Sequence, residues 1–310
     1  MALIKRGFLK NRTVDLDSTV KTSYGKQEGV AKGYNPHKRG AKSYHPLLAF
    51  CSYTKEILQG WLRTGNAYTA NGVIAFVQQM LAHVPSSTHL IFRCDSGFFS
   101  GLFMDFLDKL NHGYLIKAKL TKPLKEFMQS QLWLPVPGQA GFEYCEFGYM
   151  CGTWSKFRRF VAIRRKIDEC RDKRKLNENH DGYDYYCYVL TEALTPWEAH
   201  KEYGKRATCE TLIEEAKNQM GLGQIKTDDF FANSALFQCA ILAYNTICWM
   251  RLFTANQTIK CWEIKTIRMF LIRVAGKLVS TGRILILKLP EGRLFSKQLD
   301  TWMNLTLQFQ

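Results

Sequence analysis

The chain has 310 residues, 46% of them hydrophobic, so it has the material for a sizeable core and is not a disordered segment. Lysine and arginine number 43 against 27 acidic residues, a formal net charge of +16 at pH 7. An excess of that size favours a polyanionic partner, because each phosphate neutralised releases condensed counterions, and no basic amphipathic helix directs it to a membrane instead.

The opening MALIKRGFLKNR holds too short an apolar stretch for a signal peptide. Thr13 to Val20 alternates and is rich in β-branched residues, which predicts a strand. Tyr24 to Ser43 is Gly-rich, basic and without periodicity, which predicts a long loop. Its His37, Lys38, Arg39 and Lys42 suit phosphate contact, and suit a solvated basic loop as well. Pro46 to Tyr53 and Ile57 to Arg63 predict two strands joined by a tight turn. Asn71 to Val84 sets Val73, Phe76, Val77, Met80 and Leu81 at helical spacing, with Asn71 as the N-cap. His89 to Asp95 predicts a strand closing on a carboxylate, Gly101 to Leu110 a helix, and Tyr114 to Lys119 a fifth strand. Three strands, a helix, a strand, a helix and a strand predict an α/β fold: a mixed sheet with flanking helices, in the order of a ribonuclease H-like core.

Residues 120–190 are aromatic and β-prone, at Phe142 to Phe147, Phe157 to Ile163 and Tyr183 to Leu190, and read as a β-rich insertion. The charged run Arg164 to His180 splits them as an exposed turn or mobile loop. From Pro196 the chain turns helical, over Trp197 to Met220, Ala232 to Phe253 and Cys261 to Leu278. Ser234 to Phe253 is the most apolar long run; Gln238 and Asn245 interrupt it, so a buried core helix is expected there rather than a membrane span. The domain reading is a first part of the core at 1–119, the insertion at 120–190, and a helical second part of the core at 191–310. Ten scattered cysteines without a CxxC pair argue against a disulfide framework or zinc site and for a reducing, cytoplasmic setting.

Three acidic positions suggest chemistry. Asp17 lies on the first strand and Asp95 closes the strand after the first helix, neighbours in a sheet of this order. Paired carboxylates at strand ends suit Mg²⁺, which takes oxygen ligands and keeps waters for substrate. Asp15 shares the face of Asp17 and is an alternative ligand. Tyr203, Arg206, Glu210 and Lys217 step by three, four and seven residues and form one stripe on a continuous helix. Glu214 is a geometric rival to Glu210.

The spaced Tyr203, Arg206, Glu210 and Lys217 match the Y-R-E-K signature of the DDE transposases of bacterial insertion sequences. Asp17-Ser-Thr19 resembles that family's first aspartate motif, and Arg93-Cys-Asp95-Ser-Gly-Phe-Phe resembles the second. Gly33 to Phe50 and Asn233 to Asn245 also look like segments of one subgroup, so the likeness covers nearly the whole chain. The resemblance implies a ribonuclease H-like fold with a β-strand insertion, and metal-dependent cleavage and strand transfer at transposon ends. By the same resemblance Asp17, Asp95 and Glu210 hold two Mg²⁺ ions, for which Mn²⁺ substitutes. Tyr203, Arg206 and Lys217 contact DNA phosphates, the partner is double-stranded DNA, and the protein acts as a homodimer with no membrane.

Two departures stand out. Relatives carry a helical DNA-binding region before the first aspartate, where this sequence has sixteen residues. A truncated remnant that binds DNA or dimerises without cutting is therefore the alternative reading, and a ribonuclease H-like nuclease without strand transfer is another. Some relatives hold a flipped base with a tryptophan on the strand before the glutamate's helix; here that strand reads Tyr185-Tyr-Cys-Tyr188. Tyr186, Tyr188, or Trp154 with Arg158 and Arg159, are the aromatic candidates, with sheet packing as their plainer reading.

Overall fold

The computed structural model describes residues 12–36, 38–167, 181–254, 256–290, 296–297 and 300. His37, and the charged run from 168 to 180, lie outside the described residues. The strands are β1 (Thr13–Ser18), β2 (Lys21–Thr22), β3 (Ala31–Lys32), β4 (Lys42–Tyr44), β5 (Leu47–Cys51) and β6 (Ile57–Trp61), then β7 (Ile91–Cys94) and β8 (Gly113–Lys117). They continue as β9 (Leu134–Pro135), β10 (Phe142–Tyr149), β11 (Arg158–Lys166) and β12 (Tyr183–Leu190), with β13 (Lys277–Thr281) and β14 (Ile284–Lys288) near the end. The helices are α1 (Val73–Leu81), α2 (Gly101–Lys109), α3 (Lys122–Gln129), α4 (Pro196–Gly204), α5 (Ala207–Gln219), α6 (Phe230–Phe253), α7 (Gln257–Lys260) and α8 (Ile264–Ile267).

Two compact units make up the chain, Met1–Tyr53 with Leu58–Glu210, and Thr54–Ile57 with Thr211–Gln310. The first carries a nine-stranded mixed sheet in the order β6-β5-β1-β7-β8-β12-β11-β10-β9. Strand β5 runs antiparallel to β1, β7 and β8 run parallel to it, and β12 returns antiparallel to β8. The five leading strands have the order of a ribonuclease H-like fold, as the sequence predicts. Residues 120–190 add one helix, α3, before their strands, and those strands extend the same sheet through β12. Alternation decides the faces. Val14, Leu16, Phe92 and Cys94 pack under α1, α2 and α3, while Leu115, Val161, Tyr188 and Leu190 pack under α4. Asp15, Asp17, Arg93 and Asp95, at the odd positions, take the α4 side.

Several expectations need correction. The N-cap of α1 is Gly72 at φ 74°, a left-handed position that suits glycine, and not Asn71. The stretch 24–43 is not all loop, since β3 and the start of β4 lie in it and form, with β2 just before it, a small antiparallel sheet. Arg164 to Lys166 are the end of β11 rather than a turn, with Arg164 Nε donating to Glu143 across the strands. The helix expected over Trp197 to Met220 breaks between α4 and α5. Gly204 ends α4, and the amides of Lys205, Arg206, Thr208 and Cys209 bond three residues back instead of four. Cys261 to Leu278 is not one helix either, because β13 pairs with β14 around Gly282 at φ 61°.

In the second unit, α6 starts at Asp229, whose side chain accepts from Ala232 N at 2.6 Å. By length and composition α6 could cross a membrane. It is only half the core helix expected: Asn233, Phe237, Ile241, Tyr244, Ile247 and Cys248 are buried, while Phe231 and Leu242 stay exposed. Asn245 binds both backbone groups of Ile57, and Tyr244 Oη donates to Lys55 O.

Candidate active site

Register places the two aspartates. Strands β1 and β7 are parallel with Asp15 opposite Arg93 and Leu16 opposite Cys94, so one step further Asp17 stands beside Asp95. Both sit where the strands end and side chains leave the sheet towards the α4 side. Asp95 caps a 3₁₀ turn over Ser96–Phe98, and its Oδ1 accepts from Gly97 N at 2.9 Å. Asp17 Oδ1 accepts from Ser18 N at 2.8 Å.

The break between α4 and α5 brings the remaining groups in. Thr195 and Glu198 close a capping box that fixes the start of α4. Tyr203 at its end packs on Tyr188, with ring centroids 4.8 Å apart. Arg206 lies in the connecting turn, 7% exposed, with Nη2 2.9 Å from Asp17 Oδ1 and 3.4 Å from the carbonyl of Leu16. Its Nη1 lies 4.0 Å from Glu210 Oε1, in the first turn of α5. The Glu210 side chain is 73% exposed. The four-residue stripe is therefore not one helical face: Tyr203 is on α4, Arg206 in the turn and Glu210 on α5. Lys217 belongs to the second unit, whereas the other groups of the site come from the first.

The electrostatics are those of crowded acids around one cation. Burial raises the Asp17 carboxyl to about 6; Arg206 opposes this, and Asp95 and Glu210 push it up again. For Arg206, burial pulls the guanidinium down, and Asp17, Tyr203 and Asp95 outweigh it. Burial also pushes the Tyr203 phenol upward. Carboxylate oxygens are hard donors of the kind Mg²⁺ takes, and their mutual repulsion is what a divalent ion relieves. As they stand, no three acidic, histidine or cysteine side chains among the described residues are grouped closely enough to hold an ion. Arg206 supplies the positive charge instead, and the exposed Glu210 has room to turn.

Asp15 has a different occupation. Arg93, fully buried, donates from Nε to Asp15 Oδ1 at 2.6 Å and from Nη2 to Oδ2 at 2.8 Å, and reaches Glu202 and Ser52. Arg93 also lines a 380 Å³ cleft at the opposite ends of β1 and β7 from Asp17 and Asp95. Lys38 and Arg39 are exposed between β3 and β4. Of the aromatic candidates, Trp154 packs on Phe99 and Phe160, Tyr188 is buried, and Tyr186 bonds Asp184 and packs on His200. Arg158 is buried against Asp105 and Asp108, and Arg159 pairs with Glu146. The sequence gives no role to His45, Arg63 and Thr69, which meet Ser18 of the first aspartate motif beside the aspartates; no spacing rule links them.

The family model described as "Transposase DDE domain group 1" matches residues 8–306. The chain is also similar to the solved cryo-EM structure of the piggyBac transposase synaptic complex with hairpin DNA. The TM-score is 0.50 and the identity 13%, over 83% of this chain and 51% of that one. That likeness is one of fold, and the chain spans about half the length of the solved transposase. No curated protein matches the sequence.

Proposed function

The chain belongs to the transposases with a DDE domain of group 1, and on that premise we propose that it cleaves DNA at the ends of a mobile element and joins the freed ends to new phosphates. Asp17, Asp95 and Glu210 form the acidic triad in this reading. The observation that carries it is the meeting of Asp17 and Asp95 at adjacent parallel strand ends, with Arg206 bridging towards Glu210. The three carboxylates would hold two Mg²⁺ or Mn²⁺ ions. Such ions supply stabilisation of the charge developing on the attacking and leaving oxygens of a phosphodiester.

The chain's own residues do the rest. Arg206 and the Ser18 amide hold Asp17 as a carboxylate in a buried position where it would otherwise take up a proton. The Gly97 amide orients Asp95. Tyr203, packed on Tyr188, backs the turn that carries Arg206. Lys38 and Arg39, with Lys217 and His37, take DNA phosphates by charge-assisted bonds. Hydrolysis breaks the phosphodiester at the element's end and leaves a 3′-hydroxyl. That hydroxyl then attacks a second phosphodiester, releasing its 3′-oxygen and conserving the number of ester bonds. Double-stranded DNA is the substrate, a homodimer holds the paired ends, and the cytoplasm is the setting.

The test uses labelled DNA carrying the inverted repeats that flank the gene, with Mg²⁺ or Mn²⁺. Cleavage at the repeat boundary is expected, falling at least 100-fold in each of Asp17→Ala, Asp95→Ala and Glu210→Ala. Binding without cleavage by the wild type would leave a DNA-binding remnant in place of the enzyme.

A further inference from the structure

Residues 64–72, between β6 and α1, are held far more tightly than a connecting loop requires. Arg63, 8% exposed, donates from Nη1 to the carbonyls of Tyr68, Thr69 and Asn71 at 3.2, 3.1 and 2.8 Å, and from Nε to that of His45 at 2.9 Å. His45 is buried and its Nδ1 faces the carbonyl of Ala67 at 2.5 Å, so Nδ1 carries the proton. Its Nε2 meets Ser18 Oγ at 3.1 Å.

This brace pins the segment to both aspartate motifs. Thr69 Oγ1 lies 3.2 Å from the hydroxyl of Ser18, the residue after Asp17. On the other side a Cβ built on Gly97, whose amide binds Asp95, would meet the Thr69 methyl at 2.8 Å. The residue before this wedge, Tyr68, turns its ring to solvent and is 74% exposed. The same segment lies flat on the basic hairpin, since a Cβ on Gly65 would strike the carbonyls of Ser43 and Ala31. In that hairpin Lys32 and Lys42 stand directly opposite each other, both exposed. Like charges paired across strands destabilise a hairpin unless an anion lies over them.

We propose that Tyr68 is the stacking platform for a nucleobase of the DNA end held at the carboxylates, with Lys32 and Lys42 taking a backbone phosphate of the same DNA. The inference rests on the transposase reading and gives it a positioning residue. A ring on a backbone already fixed by Arg63 loses little freedom on binding, and stacking tolerates any base. Trp154, Tyr186 and Tyr188 in the inserted block have their rings packed on Phe160, His200 and Tyr203 instead.

The experiment uses the full chain and a duplex ending in the flanking inverted repeat, with 2-aminopurine placed in turn at the three nucleotides on either side of the cleaved bond. Wild type should quench the fluorophore at one position, and Tyr68→Ala should abolish the quench and slow single-turnover cleavage about 5- to 150-fold. Tyr68→Phe and Tyr68→Trp should cleave within about threefold of wild type, by the same stacking argument. With an abasic site at the quenched position, Tyr68→Ala should cost nothing further. Thermal denaturation, unchanged in all three variants because the ring is exposed, separates this from misfolding. Wild-type cleavage with an equal rate and equal quench in Tyr68→Ala overturns the proposal, as does a Tyr68→Phe variant that is folded yet as slow as Tyr68→Ala. A wild type that neither binds nor cuts the repeat overturns the transposase reading beneath it, a result distinguishable from either.

Discussion

Two aspartates two positions apart on one strand have different fates, and the difference lies in their neighbours. Asp15 faces Arg93 across the register and is sealed in a bidentate pair, while Asp17, at the strand end, meets Arg206 through a single nitrogen and keeps an oxygen for other work. Arg93→Met should therefore cost about 3–5 kcal/mol in chemical denaturation, since it strands a buried carboxylate. Adding Asp15→Leu should recover most of that loss. The double variant should still cleave DNA; a folded double variant without cleavage would make Asp15 a metal ligand after all. Sequence spacing left both open, because side-chain alternation gives them one face and says nothing about which cation stands opposite.

At the scale of elements, the consequential event is the interruption of a helix that the residue pattern draws as continuous. Gly204 was in plain view and is the local signal for the break; the tertiary reason is the Arg206 pair with Asp17, which the i, i+4 geometry of a straight helix does not supply. Gly204 is exposed and a Cβ there meets nothing within 4 Å. Gly204→Ala should thus stabilise the protein by about 0.5–1 kcal/mol through helix propensity and a stiffer unfolded chain, with cleavage unchanged. Urea titration and a cleavage time course check it together. Greater stability with abolished cleavage would mean that the hinge at Gly204 is used in the reaction. The strands, in contrast, were mostly legible, since β1 alternates and β5, β7 and β8 are short, mainly apolar runs. The small sheet of β2, β4 and β3 escaped notice because its strands are two or three residues long and pair through backbone alone.

For the molecule as a whole, the charge of +16 is the broadest statement about partners, and the hairpin of β3 and β4 gives it an address. Replacing both Lys32 and Lys42 by alanine should weaken binding to the inverted repeat at every sequence alike. It should also flatten the dependence of log K on log salt by about one, the unit expected for the single phosphate no longer neutralised. Fluorescence anisotropy between about 50 and 200 mM salt reads both quantities. The fold of the hairpin should not suffer, because the substitution removes a repulsion. An unchanged slope would place the DNA on another face.

Sequence alone determined the family, the mixed α/β fold and the order of the acidic residues along the chain, because periodicity, turn residues and spaced motifs are local properties that survive in a linear text. Only the tertiary structure decided which aspartate is sealed in a pair, where the long helix stops, and that His45 and Thr69 meet the first aspartate motif. Those outcomes depend on pairings across 27 to 190 positions, and on the burial that makes each unpaired charge expensive, neither of which any window of sequence contains.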